Sequence, residues 1–336
     1  MEKILLVNVN WLGDVLFSTP VIKALKKAYP ESKLACMVVP RCREVLDGNP
    51  YIDEIILFDE KTLHRNIFKR LKFINSLRKK QFTKAFILHR SLTRALIVFL
   101  AGIPERIGYN TKKRGFLLTK KIALPGSDMH RSDQYLNVIE SYGISVEDRT
   151  YDFFVSDDNR AYAEKLFREA GIAENDFVVV INPGGNWDPK RWLKENFAAV
   201  ADQLIQRYHA KVIIAGATKD IALAWQIRDL MQEQPILITG KTTLKQLAAA
   251  MQKAHVVISA DSGPAHIASA VGAGVIMLFG PTLPKITGPR GKNKVVVLHK
   301  DLGCSLPCYD SSCVDYRCMK AIMPEDVLHH VQEFKS

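Results

Sequence analysis

No apolar run in this chain approaches the ~20 residues needed to cross a bilayer as a helix. The N-terminal Met1-Glu2-Lys3-Ile4-Leu5-Leu6-Val7 is too short and too acidic for a secretory leader, so a cytoplasmic location is expected. Familiar phosphate signatures are also missing. The first strand-to-helix turn has one glycine, not the G-x-G-x-x-G of dinucleotide folds, and no P-loop occurs. No Asp-x-Asp pair is present to hold a divalent metal on a nucleotide diphosphate. Any such anion must therefore be met by cationic side chains and backbone N–H groups. Paired C-x-x-C is absent too: Cys304, Cys308, Cys313 and Cys318 are spaced more loosely than in a zinc ribbon. Buried or loop-lining thiols are the expectation, with a structural metal site as the alternative. No internal repeat or low-complexity tract is evident.

What is present is charge of one sign in one half. Residues 1–150 hold 26 Lys and Arg against 15 Asp and Glu, whereas the remainder is nearly balanced. This asymmetry suggests an anionic partner: nucleic acid, a phosphorylated glycolipid or a membrane surface. Aromatic residues are not interleaved with the basic ones as on stacking platforms, which argues against nucleic acid. At 336 residues the chain has room for two ordinary domains.

Short apolar runs alternate with helical stretches in both halves, as in βαβ units with parallel sheets. Strands are expected at 3–9, 33–39, 55–58 and 85–88, and again at 177–181, 211–215, 236–238, 256–258, 275–279 and 295–298. Helices are expected at 15–29, 64–80, 91–100, 130–142, 195–208, 220–231, 244–252, from Ser262 to Gly272, and 324–334. The 64–80 helix carries Arg65, Lys69, Arg70, Lys72, Arg78, Lys79 and Lys80, too many like charges unless they face water or an anion. Residues 106–121 read as a basic segment without helical period, and 147–159 as a polar linker.

Ligands of open α/β sheets bind at the carboxyl ends of strands. Four unusual stretches fall there: Asn10 to Asp14, Asn182 to Trp192, Gly216 to Asp220, and Asp261 to His266. In the last, Ser262 is a good N-cap, Gly263 lets another group approach, and Pro264 suits a first helical turn, together a site fitted to phosphate.

Leu12-Gly13-Asp14-Val15-Leu16-Phe17-Ser18-Thr19-Pro20, Asn182-Pro183-Gly184 with Lys190-Arg191-Trp192, and Asp261-Ser262-Gly263-Pro264-Ala265-His266 resemble the family 9 glycosyltransferases, the ADP-heptose:lipopolysaccharide heptosyltransferases. The tail from Pro307-Cys308 to Cys318-Met319 resembles their heptosyltransferase II branch. The resemblance spans essentially the whole chain. It implies a GT-B architecture of two facing Rossmann-like domains: an acceptor domain over 1–155, a nucleotide-sugar domain over 156–322, and a terminal helix, 323–336, packing back on the first domain. It also implies metal-independent, inverting transfer of L-glycero-D-manno-heptose from ADP-heptose, with no cofactor, to an inner-core sugar hydroxyl of lipopolysaccharide. The partners would be the donor, an anionic lipid A acceptor bearing Kdo or heptose, and the cytoplasmic face of the inner membrane, with no nucleic acid.

The matched residues have parts in that scheme. Asp14 would be the general base and Lys190 would meet the leaving diphosphate. Asn182, Gly184, Lys190, Asp220 (ribose), Thr242 (near adenine), Asp261, Ser262, Gly263 and His266 would bind the donor. Gly13, Arg90, Arg94, Arg106 and the basic 112–121 segment would face the acceptor's phosphates and carboxylates. A transferase of another sugar or acceptor, or a nucleotide-sugar epimerase, is the competing expectation.

Overall fold

The computed structural model describes every residue except 112, 186, 292, 309, 311, 312 and 336. Lys112 and Asn186, both within stretches singled out above, therefore lie outside the described residues. The chain divides into two compact units, Met1–Phe154 and Val155–Ser336.

In the first unit the strands are β1 (Lys3–Val7), β2 (Lys33–Val38), β3 (Glu54–Leu57), β4 (Lys84–Ile87), β5 (Glu105–Tyr109) and β6 (Lys120–Ile122). Its helices are α1 (Leu12–Phe17), α2 (Thr19–Ala28), α3 (Arg43–Leu46), α4 (Ile67–Lys80), α5 (Leu92–Leu100) and α6 (Arg131–Glu140). In the second unit the strands are β7 (Val178–Asn182), β8 (Lys211–Ile214), β9 (Ile236–Leu237), β10 (Val256–Ala260), β11 (Gly274–Phe279) and β12 (Val295–His299). Its helices are α7 (Asp157–Glu169), α8 (Lys194–Tyr208), α9 (Ile221–Leu230), α10 (Leu244–Gln252), α11 (Gly263–Ala270), α12 (Pro284–Thr287), α13 (Arg317–Lys320) and α14 (Pro324–Val331).

The near-continuous apolar runs dictate this arrangement. A strand such as β11, Gly-Val-Ile-Met-Leu-Phe, buries side chains on both faces, so helices must cover both. Each unit is accordingly an all-parallel, doubly wound sheet, ordered β3-β2-β1-β4-β5-β6 and β12-β11-β10-β7-β8-β9. Renumbered within its own unit, each reads 3-2-1-4-5-6, the Rossmann order. These are the two Rossmann-like units of the GT-B class. Strand order reverses between β1 and β4 in the first and between β7 and β10 in the second, where ligand crevices form. Central registers are tight: Leu5 lies opposite both Ala35 and Ala85, and Ile258 opposite both Ile181 and Ile276.

Three local expectations need correction. The 15–29 helix is broken at Ser18 into α1 and α2, because Pro20 has no N–H to offer the preceding turn. The Thr19 hydroxyl bonds the Leu16 carbonyl (2.7 Å) and the Ser18 hydroxyl bonds that of Val15 (2.7 Å). The basic 106–121 segment is not irregular but contains β5, the turn Gly115–Leu117 and edge strand β6. The polar linker runs into helix α7, N-capped by Ser156. Within the second unit, Val327, Val331 and Phe334 enter the same core as Phe197 and Ile276.

The late cysteines are free thiols, Cys304 exposed and the other three partly buried. Among the described residues no group of three or more His, Cys, Asp or Glu is placed to hold a metal, and no helix is long and apolar enough to cross a membrane.

Candidate active site

Candidate functional side chains gather at both reversal points. In the first unit, β1 ends in Asn8 to Trp11 and α1 begins at once, so Gly13 and Asp14 occupy its first turn. Asp14 is partly exposed, and its Oδ1 accepts a hydrogen bond from the Tyr135 hydroxyl at 3.0 Å. Arg131 Nε lies 3.8 Å from the same oxygen. Both partners come from α6, whose N-cap is the His130 ring accepting from the Ser132 N–H (3.2 Å). Burial, reinforced by the Asp14 charge, pushes the Tyr135 hydroxyl well above the ordinary tyrosine range, so it stays a donor to the carboxylate. Arg131 Nη1 and Arg90 Nη2 converge on Gln134 Oε1 at 3.0 and 2.9 Å. One carboxylate and two guanidinium groups therefore stand together at the strand ends.

Arg94 and Arg106 are engaged by protein groups away from this cluster. Arg94 is 1% exposed, its guanidinium lies 4.2 Å over the Phe58 ring, and Nη2 reaches Asn10 Oδ1 at 3.3 Å. Burial lowers its pKa to about 10. It braces the β1–α1 turn from beneath. Arg106 sits near the amino end of β5, away from the carboxyl ends of the strands, and bonds the carbonyls of Leu117 (2.7 Å), Ile103 (2.6 Å) and Pro104 (3.1 Å). Of the basic 112–121 segment, Arg114 is fully buried and tied to the Tyr109 carbonyl at 2.9 Å.

In the second unit β7, β10 and β11 deliver the groups. Asp261, just past β10, is 8% exposed and receives three donors. Lys190 Nζ (2.6 Å) and Thr282 Oγ1 (2.7 Å) meet Oδ2, and His266 Nε2 is 3.2 Å from Oδ1. Burial alone would raise the Asp261 pKa, but the His266 contact and the Lys190 charge outweigh it and hold the carboxyl well below the usual aspartate range. Lys190, in the turn Asp188–Lys190, keeps a quarter of its side chain exposed, so its ammonium can turn toward an anion. Asn182 Nδ2 bonds Ser259 Oγ (3.1 Å) and Ser262 Oγ (3.4 Å), locking β7 to β10.

The N-terminus of α11 is less generous to phosphate than its sequence implies. Pro264 has no N–H, and that of Ala265 is engaged by the Ser262 hydroxyl at 3.4 Å. Gly263 remains at the open end. His266 is 3% exposed with Nε2 committed to Asp261, so it orients that carboxylate.

Asp220 is buried; its Oδ2 accepts from the Ala217 N–H at 3.0 Å, and its carboxyl abuts Gly184 so closely that a Cβ there would sit 2.5 Å from Cγ. Thr242 precedes α10, its buried hydroxyl without a partner among the described residues. Arg131, Tyr135 and Thr282 were missed as site residues. Thr282 follows β11, so the strand-end rule alone points to it. Arg131 and Tyr135 lie on a helix and reach the site only through folding.

The sequence model of the family described as glycosyltransferase family 9 (heptosyltransferase) matches residues 70–316. Among curated relatives, lipopolysaccharide heptosyltransferase 3 of Escherichia coli (strain K12) is 31% identical, with 80% of each chain covered. Lipopolysaccharide heptosyltransferase 2 of the same strain is 27% identical, covering 88% of this chain and 87% of that one. Among solved structures, the glycosyl transferase family 9 protein from Veillonella parvula DSM 2008 superposes with a TM-score of 0.90 at 26% identity, over 99% of this chain and 97% of that one. The family model spans more than half of the chain, which belongs to glycosyltransferase family 9 and is a glycosyltransferase.

Proposed function

We propose that the chain transfers L-glycero-D-manno-heptose from ADP-heptose to a sugar hydroxyl of the lipopolysaccharide inner core, with inversion and without a metal. The observation that carries the mechanism is the Asp14 carboxylate, partly exposed at a strand-end crevice and fixed by the Tyr135 hydroxyl and Arg131. Asp14 takes the proton of the acceptor hydroxyl as its oxygen attacks the anomeric carbon; the bond to the diphosphate breaks from the opposite face, which inverts the centre. Arg90 and Arg131 meet acidic groups of the acceptor. Lys190 neutralises charge growing on the leaving ADP, released in part from Asp261 as the diphosphate arrives. Asp261 then accepts a hydrogen bond from the sugar, and Asp220 from the ribose. The acceptor is borne by a lipid, so transfer takes place at the cytoplasmic face of the inner membrane.

The names of the relatives support heptose and lipopolysaccharide as substrates. ADP release measured with ADP-heptose plus lipid A–Kdo, with a heptosylated core as second acceptor, tests the reading. Release that requires acceptor is expected. Free sugar formed without acceptor, or preference for a different nucleotide sugar, would contradict it.

The ribose contact has its own test. In Gly184→Ala the new methyl must displace Asp220, which the Ala217 N–H already holds. Losing one hydrogen bond to a charged group is worth roughly tenfold. Donor KM should rise by about that factor with kcat little changed; an unaltered KM would separate Asp220 from donor binding.

A further inference from the structure

Apart from Thr93 and the buried Arg94, helix α5 is apolar. Ala95, Ile97 and Val98 enter the core, yet Leu92, Leu96, Phe99 and Leu100 recur along the other face at 43, 40, 44 and 38% exposure. A helix with apolar residues on both its buried and its outward face is ordinarily enclosed by protein or in contact with lipid. Neighbouring α4 adds Ile67, Phe68 and Leu71 from its first turns, 60, 79 and 52% exposed. The two helices pack together: Arg78 Nη2 of α4 bonds the Leu100 carbonyl at 2.7 Å, and Leu77 shares a core with Val98. Phe116, in the turn beside α5, is 74% exposed. Such a concentration of exposed large apolar side chains marks an interaction surface.

Its charge says what it meets. Residues 61–104 contain eleven Lys and Arg and no Asp or Glu. On α4 itself, exposed Lys69, Lys72 and Lys79 stand among the apolar residues. A protein interface core is depleted of lysine, and a second copy of this chain would bring like charges face to face. A nucleic acid has no use for the α5 stripe. Apolar side chains interspersed with cations suit an anionic bilayer, whose headgroup phosphates take the ammonium groups while the hydrocarbon side chains enter the acyl boundary.

We propose that the α4–α5 face, with Phe116, docks the protein on an anionic lipid surface. Leu92 is two residues from Arg90, so a docked α5 holds the crevice of the first unit beside the headgroups. The inference deepens the membrane contact in the reading above by assigning it a surface. Its test involves no sugar transfer, so either can fail without the other.

Sedimentation of the full chain with vesicles of phosphatidylcholine alone, or with added phosphatidylglycerol, reads it directly. Binding to the anionic vesicles is expected, weakening as salt rises. Lys69→Gln with Lys72→Gln should weaken it roughly thirtyfold, and Phe68→Ser with Leu96→Ser by roughly tenfold or more. All four positions are on the surface, so melting temperatures should hold; a variant that melts early is replaced by its single substitutions. No binding at low salt, equal binding to neutral vesicles, indifference to both double variants, or a wild-type dimer that Phe68→Ser with Leu96→Ser dissolves would each overturn the proposal.

Discussion

Asp14→Asn is expected to lower kcat by roughly 10²- to 10⁴-fold, the usual worth of a positioned base, with donor KM and unfolding midpoint near wild type. The substitution is nearly isosteric, and an amide oxygen can still accept the Tyr135 hydroxyl, so the first turn of α1 stays in place. What disappears is the charge that draws Arg131 and the lone pair that receives the acceptor proton. Tyr135→Phe is the companion measurement. It leaves the base but frees its orientation, and loss of a hydrogen bond to a charged group should reduce kcat about tenfold. Because burial keeps Tyr135 protonated far above neutrality, its own ionisation should leave no mark on the wild-type pH–rate profile. Transfer at near wild-type rate by Asp14→Asn would remove Asp14 from the chemistry, whatever Tyr135→Phe does.

Lys190→Met should act on both rate and stability. If the ammonium stabilises the departing diphosphate, kcat/KM falls roughly 10²- to 10³-fold, comparable to losing a donor from a preorganised charge-stabilising site. In the free protein the same change strips a buried carboxylate of its cation. Thr282 and His266 remain, and Lys190 is itself partly exposed, so the cost is about 2 kcal/mol at neutral pH rather than that of a fully enclosed pair. The pH dependence follows from the lowered pKa of Asp261. Its ionisation stabilises the fold above the unfolded value of about 3.9, and that contribution is lost as pH falls through the lower folded value. Removing Lys190 raises the folded value, so urea midpoints of variant and wild type should differ at pH 7 and converge below about pH 4. Lys190→Met with Asp261→Asn should recover much of the stability and none of the activity. Recovery of both would mean that the pair is structural only.

The strand-rich interior was legible because β-branched runs such as Val256-Val257-Ile258 leave little choice when both faces must be covered. β5 and β6 escaped notice since Arg106, Gly108, Lys120 and Lys121 interrupt the apolar pattern, which the edge strand β6 and its neighbour β5 tolerate. Helix α7 hid behind its charges: it buries only Ala163 and Phe167, a face too narrow to stand out from a polar stretch. In the candidate site, strand-end position plus motif singled out Asp14, Lys190 and Asp261, and the structure puts each at a strand end or in the turn beside one. Arginine was the weak point. A guanidinium can as readily staple backbone carbonyls as bind a ligand, and nothing local to Arg94 or Arg106 separates those uses. Distance along the sheet decides, and that is a property of the fold.

The way α14 is used bears on how the chain is made. Every strand and helix of the first unit has been synthesised once residue 140 emerges, and the unit is whole by Phe154. It can fold while translation continues. The second cannot close as early, since Val331 and Phe334 plug its core, and Phe334 lies so near Gly274 that a methyl there would come within 2.4 Å of its ring. Until those side chains leave the ribosome, β11 lacks their share of its cover, so the half read here as holding the sugar nucleotide is completed later than the first.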